Sequence, residues 1–428
     1  MKELFRSALH WLADTRLARS VADTIFRGLA RRRILELDQT GLVRAQNRTL
    51  LGLVHRARQT RFAHDHDFPR IRTASDFRRL VPLRTPAELW REYWQPAFPN
   101  LAGATWPGPI PYLAISSAQL NGSFPYVPIS PDLWAAQQTA ALTSLAFVLH
   151  ARPRSRLCSG RLLLLGGGTT LTPPGDFQPP DSLEAIAIRE LPAVLRPYAC
   201  TVSPTDRESD DQPLHELAER SIATPVTCIA GSIERLVPFL TRIQRLTGRE
   251  RLADIWPSLV AVLYARGPTE PDRAHLESVI ASPEVLCLEM VFRPEGAIAI
   301  EDPRHHRLRL LPDLGVYFEF VPVDQVGKPR PERYSAGQVK RGIPYALALS
   351  SPAGVWACLV GSVVRFEQEN PPLLHLVESC TPWELAARAE PLPGNVGGGR
   401  AFPTQPPHMR PAALPGRPFR GALAIRKD

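Results

Sequence analysis

The sequence predicts an α/β fold in which mixed or parallel β-sheets are covered by helices. Apolar residues recur at helical spacing over Leu133–Leu149 and over Leu236–Leu246. Short apolar runs of strand length, most of them rich in β-branched or aromatic residues, occur at 162–165, 259–264, 316–323 and 356–366. Alternation of these two kinds of element is typical of sheets with helices on their faces.

Length and composition limit the organisation of the chain. With 428 residues, of which 44 % are hydrophobic, the chain is able to bury one large core or two domains. Residues 1–60 mix apolar side chains with arginines, which predicts a basic amphipathic N-terminal helix packed on the domain, with a membrane-surface role as the alternative. The sequence contains no run of 18 apolar residues, so stable membrane insertion is not expected.

Charge and cysteine usage narrow the function classes. The net charge of +9 is concentrated in the first 60 and the last 38 residues, so a nucleic-acid-binding core is not indicated. The six cysteines are far apart and form no CxxC pair, which favours reduced thiols in a cytoplasmic protein over zinc sites or disulfides.

The stretch after the predicted strand at 112–115 has the outline of a phosphate-binding loop. Such loops direct backbone N–H groups and hydroxyls at phosphate oxygens, and a lysine neutralises charge. Donors and a glycine remain at the nucleotide-binding candidates Ser116, Ser117, Gln119, Asn121 and Gly122. Ala118 adds a side chain where close approach is needed, and Pro125 supplies neither a cation nor a backbone donor. A structural turn that no longer holds phosphate is the alternative.

The stretch 112–130 resembles the signature SSGTSxGxxKxxP of the auxin-responsive acyl acid-amido synthetase family, which belongs to the adenylate-forming superfamily. Ser116, Ser117, Gly122 and Pro128 match the signature. Further blocks occur in the family's order, including RLLLLGGG at 161–168, IWPSL at 255–259, FRPEGAIAI at 292–300 and PAGVWACLVGSVVRF at 352–366. The resemblance covers residues 40–378.

The resemblance implies the fold of the large N-terminal domain of an adenylate-forming enzyme over residues 1–380. Residues 381–428 are dominated by Pro, Gly, Arg and Ala, a composition typical of a disordered tail. The family normally continues into a smaller mobile domain that closes over the nucleotide. The sequence therefore predicts a divergent, bacterial-type member in which this C-terminal domain is missing.

Two further motifs bear on the nucleotide. Glu295 matches the family residue that holds Mg²⁺, and a carboxylate is a hard ligand that suits this ion. Arg293 stands where the family has a hydroxyl, and its guanidinium is able to contact phosphate in place of the lost lysine. Ser362 replaces the aspartate that binds the ribose hydroxyls. The alternative is that Arg293 is a solvated loop residue and Glu295 an ordinary turn carboxylate.

Two functional hypotheses follow. The first is an ATP-dependent and Mg²⁺-dependent ligase that converts a carboxylic acid to an acyl-adenylate and then joins it to an amino acid. The second is a catalytically inactive family member that binds a small carboxylate or a protein partner, which the replaced lysine and aspartate favour. A protein partner bound through the basic tail is a further, weaker alternative. No catalytic residue is assigned by the sequence alone.

Overall fold

A large mixed sheet lies at the centre of the protein. The computed structural model describes residues 15–115, 126–166, 183–191, 196–201, 211–266 and 273–379. Within these residues, twelve strands form one sheet in the order β11-β10-β12-β13-β14-β9-β8-β7-β6-β5-β3-β4, and β1 and β2 form a separate pair. The strands are β1 Tyr112–Ile115, β2 Tyr126–Ile129, β3 Arg161–Leu165, β4 Ala199–Thr201, β5 Val226–Ser232, β6 Ala261–Ala265, β7 Leu286–Arg293, β8 Gly296–Asp302, β9 Arg307–Leu310, β10 Tyr317–Pro322, β11 Tyr334–Ser335, β12 Pro344–Ser351, β13 Val355–Gln368 and β14 Leu373–Ser379.

The sheet has a parallel half and an antiparallel half. The five strands β4, β3, β5, β6 and β7 pair in parallel. From β7 onward every pair is antiparallel, beginning with the hairpin that joins β7 to β8. The mixed sheet predicted from the sequence is therefore confirmed, and β7 is the strand at which the two halves meet.

Helices cover the sheet, as the sequence predicts. They are α1 Arg16–Gln39, α2 Leu42–Ala57, α3 Arg61–Asp65, α4 Ala74–Leu80, α5 Pro86–Leu89, α6 Gln95–Ala97, α7 Pro131–Ala151, α8 Leu183–Arg189, α9 Asp211–Ile222, α10 Ile233–Thr247, α11 Leu252–Ile255 and α12 Arg273–Ile280. A π-helical turn, Trp90–Trp94, joins α5 to α6. Among the described helices, none has the length and apolar character needed to cross a membrane.

The two helices predicted from spacing in the middle of the chain are both present. Helix α7 begins after Ser130, whose hydroxyl accepts a hydrogen bond from the backbone N–H of Leu133 at 3.1 Å. Helix α10 buries Leu236, Leu240 and Ile243 on one face. It ends at Gly248, which adopts the left-handed conformation with φ 66° that glycine tolerates.

The region predicted as an N-terminal helix contains two helices in its described part, because the chain is extended at Thr40 and Gly41. Helix α1 lies against α7, and α2 is joined to the sheet by a buried glutamine. The Gln46 amide donates to the carbonyls of Pro312 and Val316 at 2.9 Å, and its oxygen accepts from the N–H of Phe318 at 2.8 Å. Gln46 thereby satisfies three backbone groups in the segment that leads into β10. The predicted tail, 381–428, lies outside the described residues.

Candidate functional site

The carboxyl ends of the parallel strands define one edge of the sheet. Because β3, β5, β6 and β7 run in the same direction, their last residues, Leu165, Ser232, Ala265 and Arg293, lie along this edge. Ligands of open α/β sheets usually bind outside the carboxyl ends of the strands. The motif that contains Arg293 and Glu295 is at this edge, as a ligand-binding role requires.

The turn between β7 and β8 carries two charged side chains that are almost fully buried. Arg293 is 7 % exposed and Glu295 is 4 % exposed. The following Gly296 has no room for a side chain, since a Cβ atom there would lie 2.8 Å from a methyl group of Val316. The interpretation of Arg293 as a solvated loop residue is therefore wrong. Burial of two ionisable groups in a hairpin turn requires charged or polar partners nearby.

One such partner is Ser362, which the sequence assigned to the same nucleotide site. The Arg293 guanidinium donates to the Ser362 hydroxyl, with Nη2 and Oγ 3.3 Å apart. Ser362 is fully buried in β13, as expected for this largely apolar segment. Irregular backbone precedes it, with positive φ at Ala357 and Gly361 and shifts in the pairing with β12. The structure thus brings Arg293 and Ser362 together, with Glu295 two residues away in the chain.

Glu295 also influences β13. Burial, followed by the nearby Glu295 carboxylate, raises the pKa of the Cys358 thiol well above its usual value. Cys358 is therefore protonated at neutral pH and is not a nucleophile. The Glu295 carboxylate is therefore near Cys358, which lies on the same strand as Ser362.

The other nucleotide-binding candidates, Ser116, Ser117, Gln119, Asn121 and Gly122, lie outside the described residues. The strands on either side of them, β1 and β2, pair antiparallel, with Ile115 opposite Tyr126. Helix α7 follows β2 directly. The sequence predicted the strand at 112–115 and the helix after the loop, but not the second strand, β2.

A cavity that the sequence did not reveal lies between α7, α8 and the parallel half of the sheet. Its volume is about 230 Å³. Residues that alternate along β3, β5, β6 and β7 share the face that forms its floor. The lining is almost entirely apolar and includes Leu142, Leu164, Ile188, Leu263, Met290 and Phe292. Small side chains at Ala141, Ala187, Ala230 and Ala265 leave the space open. These alanines on facing elements were the only sequence signal.

The end of β7 separates the cavity from the buried charges. Gln137 of α7 lines the cavity, and its side-chain amide donates to the Arg293 carbonyl at 2.7 Å. The Arg293 side chain contacts Ser362 instead. Cys228 is on the cavity floor, and burial raises the pKa of its thiol to about 12, so it remains protonated.

Metal binding at this edge would depend on Glu295. The described residues contain no group of three or more His, Cys, Asp or Glu side chains arranged to hold a metal ion. Mg²⁺ in phosphate-transfer sites is commonly bound by one or two carboxylates together with substrate phosphates and water. A single carboxylate at Glu295 fits that kind of Mg²⁺ site and does not fit an all-protein metal cage.

Solved structures show the same fold as this chain. An AtGH3.15 acyl acid amido synthetase in complex with 2,4-DB superposes with a TM-score of 0.63 at 13 % identity, over 81 % of this chain and 69 % of that one. An open conformation of 2-hydroxyisobutyryl-CoA ligase, in complex with 2-HIB-AMP and CoA, superposes with a TM-score of 0.52 at 14 % identity, over 77 % and 71 % of the two chains. The fold is therefore that of adenylate-forming enzymes.

Family membership depends on two further matches. The GH3 family N-terminal domain matches residues 31–166, and the GH3 family central domain matches residues 309–378. Nothing among the curated proteins matches the chain. The two matches contain the phosphate-loop segment and the β13 segment, in the order that the motifs predicted. The chain belongs to the GH3 family, as the order of its motifs indicated.

Proposed function

We propose that this chain is an ATP-dependent ligase of the acyl acid-amido synthetase type, and that an apolar carboxylic acid occupies the helix–sheet cavity. One observation carries the proposal. An apolar cavity of about 230 Å³ ends at the same strand terminus that bears Arg293, Glu295 and, through contact, Ser362. Gln137 connects the two regions, since it lines the cavity and donates to the Arg293 carbonyl. A bound acid would have its hydrocarbon part in the cavity and its carboxyl group at the end of β7.

The proposed reaction has two steps. An oxygen of the carboxylate attacks the α-phosphorus of ATP, a P–O bond forms, and pyrophosphate leaves. An amine then attacks the acyl carbon of the acyl-adenylate, an amide forms, and AMP leaves with the bonding electron pair while the amine loses a proton. The solved 2-hydroxyisobutyryl-CoA ligase, which holds 2-HIB-AMP, supports the first step for this fold.

The residues on the far side of β7 have defined roles in this scheme. Arg293 supplies positive charge beside the phosphates. It takes over the role of the signature lysine, whose position is occupied by Pro125 in this chain. A guanidinium suits bidentate contact with phosphate. Glu295 would hold Mg²⁺, which when bound neutralises phosphate charge. Ser362 contacts the ribose as a neutral group and therefore more weakly than the aspartate it replaces.

A second candidate function is supported by a specific observation. Arg293, Glu295 and Ser362 are each at most 7 % exposed, and Arg293 already contacts Ser362. Side chains that satisfy one another in this way leave less room and fewer free donors for a nucleotide. The second candidate is therefore a protein that binds an apolar acid in the cavity without adenylating it.

Calorimetric titration with MgATP at low salt, followed by exchange of labelled pyrophosphate into ATP, tests the proposal. We expect a Kd below about 100 µM, equivalent to about 5.5 kcal/mol, and exchange that depends on added apolar acids. The variant Ala230→Met serves as the control, because its side chain enters the cavity floor away from Arg293. It should bind MgATP normally and lose acid-dependent exchange. Acid binding without ATP binding into the millimolar range would contradict the ligase and support the second candidate.

A further inference from the structure

An exposed apolar face runs along helix α1. Within the described part of the chain, twelve large apolar side chains are exposed, and five of them are on this one helix. They are Leu17, Val21, Ile25, Leu29 and Leu35, and each is at least 56 % exposed. Single exposed apolar residues are normal on a protein surface. A set of them on one element marks a contact with another molecule or with a membrane.

The five side chains lie on one side of the helix. An α-helix turns by about 100° per residue, so steps of four residues from Leu17 to Leu29 stay within a sector of about 120°. Leu35 is about five turns from Leu17 and has the same direction. The core side of α1 is nearly opposite, where Ile34 and Leu37 are buried in a cluster with residues of α7. The apolar face is therefore the side of α1 that faces solvent.

The exposed side of α1 carries no charge over about three turns. Between Leu17 and Leu29, its other exposed residues are Ser20, Thr24 and Gly28, which are all uncharged. The Thr24 hydroxyl donates to the carbonyl of Ser20 at 2.9 Å. Because this hydroxyl already has a partner within the helix, its removal from water costs little. The result is a neutral and largely apolar surface about 18 Å long.

The segment that contains this face is strongly basic. Residues 16–57, which include α1 and α2, contain nine arginines and three acidic residues. Each acidic residue already contacts another group of the protein; these residues are Asp23, Glu36 and Asp38. Arg31, Arg44 and Arg48 are exposed and form no ion pair with the described residues. The segment therefore has positive charge available for an anionic partner.

We propose that this face of α1 binds the surface of an anionic lipid bilayer. Helix α1 lies in the plane of the headgroups, with Leu17–Leu29 against the acyl chains and arginines beside the anionic headgroups. A second copy of the chain fits less well, because two α1 helices would bring like charges together. A membrane-surface role was the alternative that the sequence left for residues 1–60, and it does not depend on the proposed ligase function.

Co-sedimentation of the full chain with lipid vesicles tests the proposal. Vesicles of equal parts phosphatidylcholine and phosphatidylglycerol should bind the chain at least about tenfold more tightly than vesicles of phosphatidylcholine alone, because arginines are attracted to anionic headgroups. Ile25→Gln with Leu29→Gln should weaken binding to the mixed vesicles by at least about tenfold, since both apolar contacts are lost. Arg31→Glu should also weaken it, and the effect should decrease as salt is added.

Helix α10 provides matched controls. Leu246 is 40 % exposed, and its neighbour Arg245 is also exposed. Leu246→Gln and Arg245→Glu make the same chemical changes on a different helix, so they should change vesicle binding far less than the α1 variants. All of these side chains are on the surface, so the urea midpoint of unfolding should be nearly the same in every variant. That measurement separates loss of binding from loss of folding.

Three outcomes would overturn the proposal. The natural chain could fail to bind the mixed vesicles. The α1 and α10 variants could bind them equally well, in which case another part of the chain contacts the lipid. Analytical ultracentrifugation without lipid tests the remaining alternative. A dimer that Ile25→Gln with Leu29→Gln separates into monomers would show that a second copy, rather than a membrane, covers this face.

Discussion

The two sides of the end of β7 differ in how they are filled. The cavity side contains about 230 Å³ of apolar space. On the other side, the filled side, Arg293 contacts Ser362, and both are buried. At the start of β13, Trp356 is fully buried among the rings of Phe62, Phe68 and other aromatic residues.

This difference indicates where binding requires rearrangement. In the proposed function, an acid would enter space that already exists, so its affinity would be reduced little by reorganisation of the protein. A nucleotide must compete with side chains that already contact each other, and it binds only if its own contacts exceed those it breaks. The family's fold is therefore compatible with strong acid binding even where the nucleotide contacts have changed.

The packing around β13, the strand that carries Ser362, is most sharply tested at Gly354, just before this strand. Gly354 has φ 74°, and an added Cβ would lie 2.1 Å from Oγ1 of Thr105. We expect Gly354→Ala to reduce the free energy of unfolding by about 3 kcal/mol, since backbone strain and overpacking act together. Urea unfolding measures this.

Gly342 is the matched control for this prediction. It has φ 80°, and a Cβ there would meet no atom within 4 Å. Gly342→Ala should therefore cost only the backbone strain, about 1 to 2 kcal/mol. If the two variants lost the same stability, the filled side would have room to relax and the contrast with the cavity would weaken.

The nucleotide side is tested by restoring the family's charges. Pro125→Lys with Ser362→Asp returns the cation and the acceptor that the signature motifs contain. We expect the double variant to bind MgATP at least about tenfold more tightly than the natural chain, because a charge-assisted hydrogen bond contributes about 1.5 to 3 kcal/mol. Calorimetry at a fixed low salt concentration provides the measurement.

Pro125→Lys with Ser362→Asn controls for shape, because asparagine has the size of aspartate without its charge. It should recover less affinity than the aspartate variant. The single variant Ser362→Asp should gain little affinity for MgATP. Arg293, whose Nη2 is 3.3 Å from the Ser362 hydroxyl, would pair with the new carboxylate. An unchanged affinity in every variant would indicate that the nucleotide region lacks space rather than charge.

Sequence reasoning succeeded where a local pattern or a family motif carried the information. Helical spacing identified α7 and α10, and apolar runs identified β10 and β13. Motif order assigned Arg293 and Ser362 to one nucleotide site; the two side chains are in contact, and their role in nucleotide binding stays a prediction. Burial of Arg293 and Glu295 was not predictable, because a charged hairpin turn is usually solvated and this one is buried against residues that are distant in the sequence, such as Ser362. The cavity depends on the gap between α7, α8 and the sheet, which small residues permit but do not specify.

The smallest expected effect on stability is that of a substitution at the outer wall of the cavity. The Tyr112 hydroxyl donates to the Glu190 carboxylate, and the Gln138 amide donates to the Glu190 carbonyl, so both restrain the end of α8. Tyr112→Phe removes the first contact and keeps the ring beneath the Arg189 guanidinium. We expect less than about 1 kcal/mol loss of global stability and faster amide hydrogen exchange in α8. Exchange at residues 293–296 should not change, because they are on the filled side.

Alkaline pH should reproduce this effect in the natural chain. Burial and the contact with Glu190 raise the pKa of Tyr112 to about 12, whereas an unfolded tyrosine titrates near pH 10. The neutral phenol therefore contributes stability fully below about pH 10, and this contribution is lost as pH rises toward 12. Exchange in α8 of the natural chain should approach that of Tyr112→Phe over this pH window, after correction for intrinsic exchange rates. A difference that persists at pH 12 would show that the phenol is not the group that restrains the cavity wall.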